Sequence, residues 1–443
     1  MKQEKGLRAG NNRNRIIDWL VFAALLGAAS AVTFVLFHRQ TLGNPEWYPS
    51  DMEAYILEMQ GLESKYSFPY PVFFKFAALL HLFMDPALSV ALATMLLNSL
   101  GILVTKLAFN RLALRDLEEA LGRGRHDLSW LAGTFLSLAA VSLFFVSMLY
   151  PPQGIYLPGI RFKYMGVFTA NPFHNATYMA ARPFTILAFL WYVRLLPTYE
   201  KGLPDGEGRR SGLADYVLFS FFLLVATMTK PSFTLVMVST AGLIMLYRLF
   251  RSCFRNFIPT VQLGLCFIPT FIDLCYQYKG VFVPGEGAEG GVGFCFGEVW
   301  AAYCDNIPLA VGLAVGFPLL VLVLNRRECK KNSLFRFSWQ LYLAGFAEAF
   351  LLYEKGFRKW DFNFSWGYMC GIFFCHFGAL VTLLQVTAQR AAGKPAEQTS
   401  AVCRWLGRYG SGALIVLQWM VYLWHVLCGI AYFGVIFGGA SYY

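Results

Sequence analysis

Apolar runs of about twenty residues recur from one end of this chain to the other, and they limit its fold more than any other feature. A bilayer core about 30 Å thick is crossed by about 20 residues rising 1.5 Å each. In hydrocarbon each segment must satisfy its own backbone hydrogen bonds, so each run reads as a helix. The runs fall at 16–37, 86–109, 129–149, 176–196, 213–229, 233–250, 256–276, 303–324, 337–353, 366–388 and 411–438. The expected fold is therefore an all-α integral membrane protein, a single polytopic domain over 1–443 with about 11 transmembrane helices. Segments 213–229 and 337–353 are at the short limit for a crossing. The stretch from Tyr70 to Met84 would be only about 21 Å long as a helix, and Asp85-Pro86 cuts it off, so it reads as interfacial or re-entrant within the first outer loop. Composition agrees: with 57% hydrophobic and 14% charged residues, the chain lacks the polar surface a soluble globule needs.

Lys and Arg set the expected orientation, because their translocation is disfavoured. With the N-terminus inside, 26 of the 37 Lys and Arg fall on inner segments, which predicts a cytoplasmic N-terminus and an outer C-terminus in a plasma membrane. The net charge of +11 then follows from cytoplasmic retention and anionic headgroups, and no basic-aromatic array points to nucleic acid. The first apolar run, about 20 residues, exceeds a signal-peptide core, so Ala29-Ser30-Ala31 reads as part of a retained anchor. The ten cysteines show no CxxC or Cys/His metal spacing, and most lie in apolar runs. Cys295 and Cys304 could pair on the outer side, yet a disulfide between them is not favoured. No fixed-period repeat, heptad array or sizeable soluble domain is present.

The informative residues lie in the outer loops 38–85, 150–175, 277–302 and 354–365, which are long or rich in aromatics and charge. Eleven cations run against the topological bias: Arg39, Lys65, Lys75, Arg161, Lys163, Arg182, Lys230, Lys279, Lys355, Arg358 and Lys359. They are candidates for phosphate or carboxylate pairing, against the plainer role of snorkelling to headgroups. In the first loop Pro49-Ser50-Asp51 to Gly61 carries helix start and stop signals. Met52, Ile56 and Met59 form its apolar stripe, Asp51 and Glu58 share a face, and Glu53 points roughly opposite. For Asp51 the competing role is an N-cap. Arg182 lies one or two turns inside a spanning helix, where a charge needs a cavity or an anionic partner. His174 just before it is a candidate acid, base or donor. Lys230 sits in the tight join Thr229-Lys230-Pro231-Ser232. Glu354, Arg358, Trp360 and Asn363 bring carboxylate, cation, flat ring and amide to one short loop, the groups that hold sugars and phosphates, with an interfacial aromatic belt as the alternative.

Other patterns carry less. Gly285-Glu286-Gly287-Ala288-Glu289-Gly290 satisfies G-x-G-x-x-G, but no strand precedes it and its acids repel phosphate. Asn175-Ala176-Thr177 and Asn363-Phe364-Ser365 match glycosylation sequons. No HExxH, nucleophile elbow or P-loop lysine occurs. A divalent metal is left open, since no motif requires one.

The arrangement of an N-inside first helix, a large first outer loop with Ser50-Asp51-Met52-Glu53 soon after it, interfacial helices and many further spans resembles the GT-C superfamily of membrane glycosyltransferases. The resemblance implies hexosyl or pentosyl transfer from a polyprenyl-phosphate-linked sugar in the membrane lipid to a glycan or other hydroxyl acceptor at the outer face. It makes Asp51 the catalytic or acceptor-orienting acid, with Glu53, His174, Arg182, Lys230, Glu354, Arg358, Trp360 and Asn363 as substrate-binding candidates. The loop departs from the Asp-Asp and Asp-x-Asp patterns of that family. The alternatives are a lipid-linked oligosaccharide flippase or other transporter, a polysaccharide polymerase- or ligase-like enzyme, a membrane acyltransferase, and a non-enzymatic scaffold.

Overall fold

The structure is a computed structural model that describes residues 2–64, 66–121, 129–151, 165–199, 211–281, 291–393 and 401–439. In chain order the helices are α1 (Lys2–Leu42), α2 (Met52–Gln60), α3 (Pro71–His81), α4 (Pro86–Phe109), α5 (Arg115–Leu121), α6 (Ser129–Leu143), α7 (Ala176–Tyr199), α8 (Leu213–Thr229) and α9 (Ser232–Arg251). After them come α10 (Phe257–Leu265), α11 (Ile268–Val281), α12 (Glu298–Ala301), α13 (Ile307–Ala314), α14 (Gly316–Leu324), α15 (Arg326–Lys331), α16 (Ser333–Leu351), α17 (Ser365–Ala391) and α18 (Ala401–Phe437). Two three-residue strands, β1 (Val292–Phe294) and β2 (Leu352–Glu354), pair antiparallel with Gly293 opposite Tyr353.

This is an all-α multi-pass membrane protein. Among the described residues six helices are long and apolar enough to cross a bilayer, or eight if the bent pairs α10–α11 and α13–α14 each count as one span. The six do not reach the eleven expected from the apolar runs, for reasons of length and polarity. Trp130–Leu143 and Leu213–Thr229 are helical but short. Ser333–Leu351 carries Arg336 and Glu348. Tyr70–Met84 forms the short helix α3, as its length and the Asp85-Pro86 break imply.

α17 is the axis of the bundle. It is apolar on all sides and buried along nearly its whole length, as a helix hydrophobic all round must be. Small residues let α16 approach it closely: a Cβ on Gly345 would stand 2.9 Å from the Gly367 carbonyl oxygen, and one on Gly371 2.7 Å from Tyr342 Cα. A buried polar tie joins α1, α4 and α6. Lys106 Nζ donates to Asp18 Oδ1 at 2.8 Å and to Gly133 O at 2.7 Å, while Ser137 Oγ donates to the same carboxylate at 3.1 Å. At the 68° bend between α13 and α14, the freed Phe317 N–H donates to His425 Nε2 at 3.1 Å, and His425 Nδ1 bonds Ser147 O at 2.6 Å. The bend thus keeps its backbone groups satisfied. Cys295 and Cys304 are both buried free thiols.

Candidate functional site

The first loop folds as its signals imply. α2 runs from Met52 to Gln60 and stops at Gly61, whose φ of 70° is the left-handed conformation a helix terminator adopts. Met52, Tyr55 and Met59 are buried beneath it. Asp51 stands at the N-cap position, yet its side chain makes no capping hydrogen bond. Its Oδ2 instead accepts from Asn175 Nδ2 at 2.7 Å and from Tyr55 Oη, one turn along the helix, at 3.2 Å. The capping role is thereby excluded, because the carboxylate is turned away from the helix end.

Asn175 is placed by the turn that leads into α7. Its Oδ1 accepts from Tyr178 N at 3.0 Å and from Thr177 Oγ1 at 3.0 Å, so it caps α7 with one side of its amide and holds Asp51 with the other. The preceding residues are locked as well. Asn171 Nδ2 donates to Leu143 O at 3.1 Å and Val146 O at 2.7 Å, adding a partner to carbonyls at and just past the end of α6. Arg182 clamps the same segment from inside α7, bonding Asn171 Oδ1 and Ala170 O with its guanidinium against the rings of Phe144 and Phe373.

Lys230 is the last element. Pro231 follows it, and a residue before proline is driven out of the helical region. Lys230 is accordingly extended, with φ −165° and ψ 124°, and ends α8. Its Nζ donates to Thr177 Oγ1 at 3.4 Å and lies 4.7 Å from the Trp366 ring centre and 5.8 Å from that of Tyr70. Thr177 Oγ1 also lies 3.2 Å from Tyr55 Oη, which brings Lys230 next to the group that holds Asp51.

These residues line a cavity of about 620 Å³ at one end of the bundle, a size typical of small-ligand sites. Asp51, Tyr55, Asn175, His174 and Lys230 form one part of its lining. Across from them, Arg358 Nε bonds Glu354 Oε2 at 3.3 Å and Asp361 Oδ2 at 3.2 Å. Asn363 Nδ2 donates to Glu354 at 2.8 Å, and Trp366 Nε1 donates to Asn363 Oδ1 at 3.3 Å. Tyr66, Phe68, Tyr70 and Trp366 give it aromatic walls, and Leu235, Leu274, Tyr278 and Val292 give it an apolar flank.

Six of the nine site candidates meet in this cavity: Asp51, His174, Lys230, Glu354, Arg358 and Asn363. Three do not. Glu53 is exposed on the opposite face of α2, where its spacing from Asp51 put it. Trp360 is 51% exposed, and its ring stacks with the Lys359 ammonium at 4.8 Å. Arg182 is buried beneath the cavity and shares with Lys230 only a smaller adjoining space. Both sequons are sequestered, since Asn175 is buried on Asp51 and Asn363 is bonded to Glu354. Lys65, Arg161, Lys163 and the glycine pattern at 285–290 lie outside the described residues. Sequence reasoning passed over Tyr55, Tyr70, Asn175, Thr177, Asp361 and Trp366. Tyr55 could have been found from its i+4 spacing to Asp51; the others are joined to the site only by tertiary structure.

The electrostatics follow from burial. Desolvation raises the Asp51 pKa, and Lys230, Tyr55 and Asn175 counter it only in part, so the carboxylate is a stronger base than an exposed one. Desolvation lowers Lys230 to about 8 despite Asp51. His174 is lowered to about 3 by burial and by the Lys230 charge, so near neutral pH it is an uncharged donor or acceptor. Among the described residues no group of three or more His, Cys, Asp or Glu is placed to hold a metal ion. The site can therefore take a proton at Asp51, present positive charge at Lys230, and offer a hydroxyl-binding network at Glu354, Arg358, Asp361 and Asn363. Comparisons with family models, characterised proteins and solved structures gave no match to this chain.

Proposed function

We propose that this protein is a membrane glycosyltransferase that moves a sugar from a polyprenyl-phosphate donor to an acceptor hydroxyl at the outer face. The observation that carries the reading is Asp51: a half-buried carboxylate, freed from capping and oriented by Tyr55 and Asn175, on the wall of a cavity that also holds Lys230. In the proposed reaction the acceptor oxygen attacks the anomeric carbon, its proton passes to Asp51, and the bond from that carbon to the phosphate oxygen breaks. The polyprenyl phosphate leaves with the extra negative charge, which Lys230 stabilises. Arg358 is bonded to two carboxylates. Its role is thus to shape the hydroxyl-binding network with Glu354 and Asn363, and the phosphate falls to Lys230. Trp366 and Tyr70 supply flat faces for sugar rings. The apolar flank at Leu235, Leu274, Tyr278 and Val292 suits a lipid-borne donor. Arg182 acts as a positioning residue, holding the segment that ends at Asn175.

In the same reading the chain crosses the membrane eleven times. The two shorter helices α6 and α8 and the charged α16 join the six long helices and two bent pairs, and the N-terminus is cytoplasmic and the C-terminus outside. The test of function is purified full-length protein incubated with radiolabelled polyprenyl-phosphate sugars and a lipid or glycan acceptor pool. Label should move to a product no longer linked to the polyprenyl phosphate. Movement of the labelled lipid across vesicles without any change in its chemistry would point to the flippase instead.

A further inference from the structure

The hairpin of β1 and β2 carries an apolar face that the bundle leaves open. Side chains alternate along a strand, and here Cys295 is buried while Val292, Phe294 and Phe296, two residues apart, stay exposed, the two phenylalanines at 60% and 74%. Their rings meet edge to face at 5.0 Å. Trp360, which has no place in the cavity, is exposed on the turn that follows β2. Exposed apolar groups gathered in this way mark contact with a membrane or with another protein.

Height in the molecule identifies the partner. β2 continues α16 without a break, and β1 is tied to the end of that helix, since Cys295 N donates to Leu351 O at 2.8 Å and Gly297 N to Phe350 O at 2.7 Å. Phe294 and Phe296 therefore stand level with the last turn of α16. Along that helix Leu343 and Ala347 form an exposed apolar line, and the next residue on it is Leu351, whose carbonyl holds the hairpin. The exposed side of α16 thus leads up to the hairpin. Lys355, whose backbone N–H bonds Gly291 O at 2.8 Å, adds an exposed cation at the edge of the strand. Aromatic rings at a helix end belong to the boundary between lipid and water, and a cation there meets lipid phosphates.

We propose that the exposed face of this hairpin, formed by Val292, Phe294 and Phe296 with Trp360 beside it, is seated in the phospholipid leaflet at the cavity end of the bundle. The contact holds the wall that carries Glu354, Arg358 and Asn363 against the bilayer. Val292 lines the cavity as well, so the mouth of the cavity meets the membrane surface along this strand. The inference rests on the eleven-span reading, in which α16 crosses the bilayer and this leaflet is the outer one. It does not rest on sugar transfer.

The test places the photoreactive side chain of benzoylphenylalanine at Phe296, and in separate preparations at Phe294 and at Leu343 of α16. Each purified protein is reconstituted in nanodiscs of phosphatidylethanolamine and phosphatidylglycerol, irradiated, digested and weighed. Expected at both hairpin positions is a peptide heavier by one phospholipid, in a yield comparable with that at Leu343. Lipid adducts at Leu343 with none at Phe294 or Phe296 would overturn the inference. So would a crosslinked dimer through the hairpin, which would make this face a contact between two copies of the chain. Absence of lipid adducts at all three positions would overturn it together with the crossing of α16. None of these outcomes depends on sugar transfer.

Discussion

Asp51 occupies the N-cap position of a nine-residue helix, yet its carboxylate faces the cavity and takes its hydrogen bonds from Tyr55 and Asn175. Its chemistry follows from that placement. The proposed transfer would need Asp51 ionised and Lys230 protonated, so kcat/KM should trace a bell against pH. On the acid side activity falls as pH drops through the Asp51 pKa, which burial has raised above the ordinary carboxylate value. On the alkaline side it falls as pH rises through about 8, where Lys230 loses its proton. Two substitutions separate the limbs. Tyr55→Phe removes a hydrogen bond that favours the carboxylate, and should move the acid limb upward without shifting the alkaline one. Lys230→Arg keeps its charge to high pH and should remove the alkaline limb, since a guanidinium holds its proton throughout that range. A pH profile unchanged by both would dissociate these groups from the reaction.

At the scale of elements, the site hangs on connections that hold helix ends. Asn171 on the end of α6, Asn175 on the start of α7 and Pro231 between α8 and α9 each fix one face of the cavity. α2 was legible in the sequence because its start, its stop at Gly61 and its apolar stripe are local signals. Lys230 was legible as a residue in a tight join. The Asp51 to Asn175 contact was not, since it spans 124 residues and no local pattern encodes it. Arg182 shows the opposite failure: a charge inside an apolar run was read as a substrate ligand, whereas neutral acceptors 11 and 12 residues earlier hold its guanidinium. The tie between α1, α4 and α6 is the element most sensitive to substitution. Lys106 is fully buried on Asp18, so Asp18→Ala should destabilise the protein by about 3–5 kcal/mol through an uncompensated buried charge. Gly133→Ala should be damaging too, since its Cβ would stand 2.4 Å from Asp18 Cγ. Thermal melting in detergent checks both, and a paired Asp18→Leu, Lys106→Met variant should recover most of the loss.

For the whole molecule, the apolar runs revealed the class but overcounted what length and hydropathy alone support. The run at 129–149 includes loop residues beyond the helix it forms, 213–229 is a helix of only 17 residues, and 256–276 and 303–324 are bent in two. Eleven crossings, an odd number, would put the termini on opposite faces. Reporter fusions should therefore be active in the cytoplasm at the N-terminus and outside at the C-terminus. Fusions active on one face at both ends would require an even count. If the Asp51 cavity transfers sugar as proposed, wild type and Asp51→Asn must differ in release of label from a polyprenyl-phosphate sugar. A lost general base lowers turnover by about 10²–10⁴-fold. The account predicts a loss of that order, with Asp51→Asn monodisperse and melting as the wild type does. Equal turnover by the two proteins would contradict it.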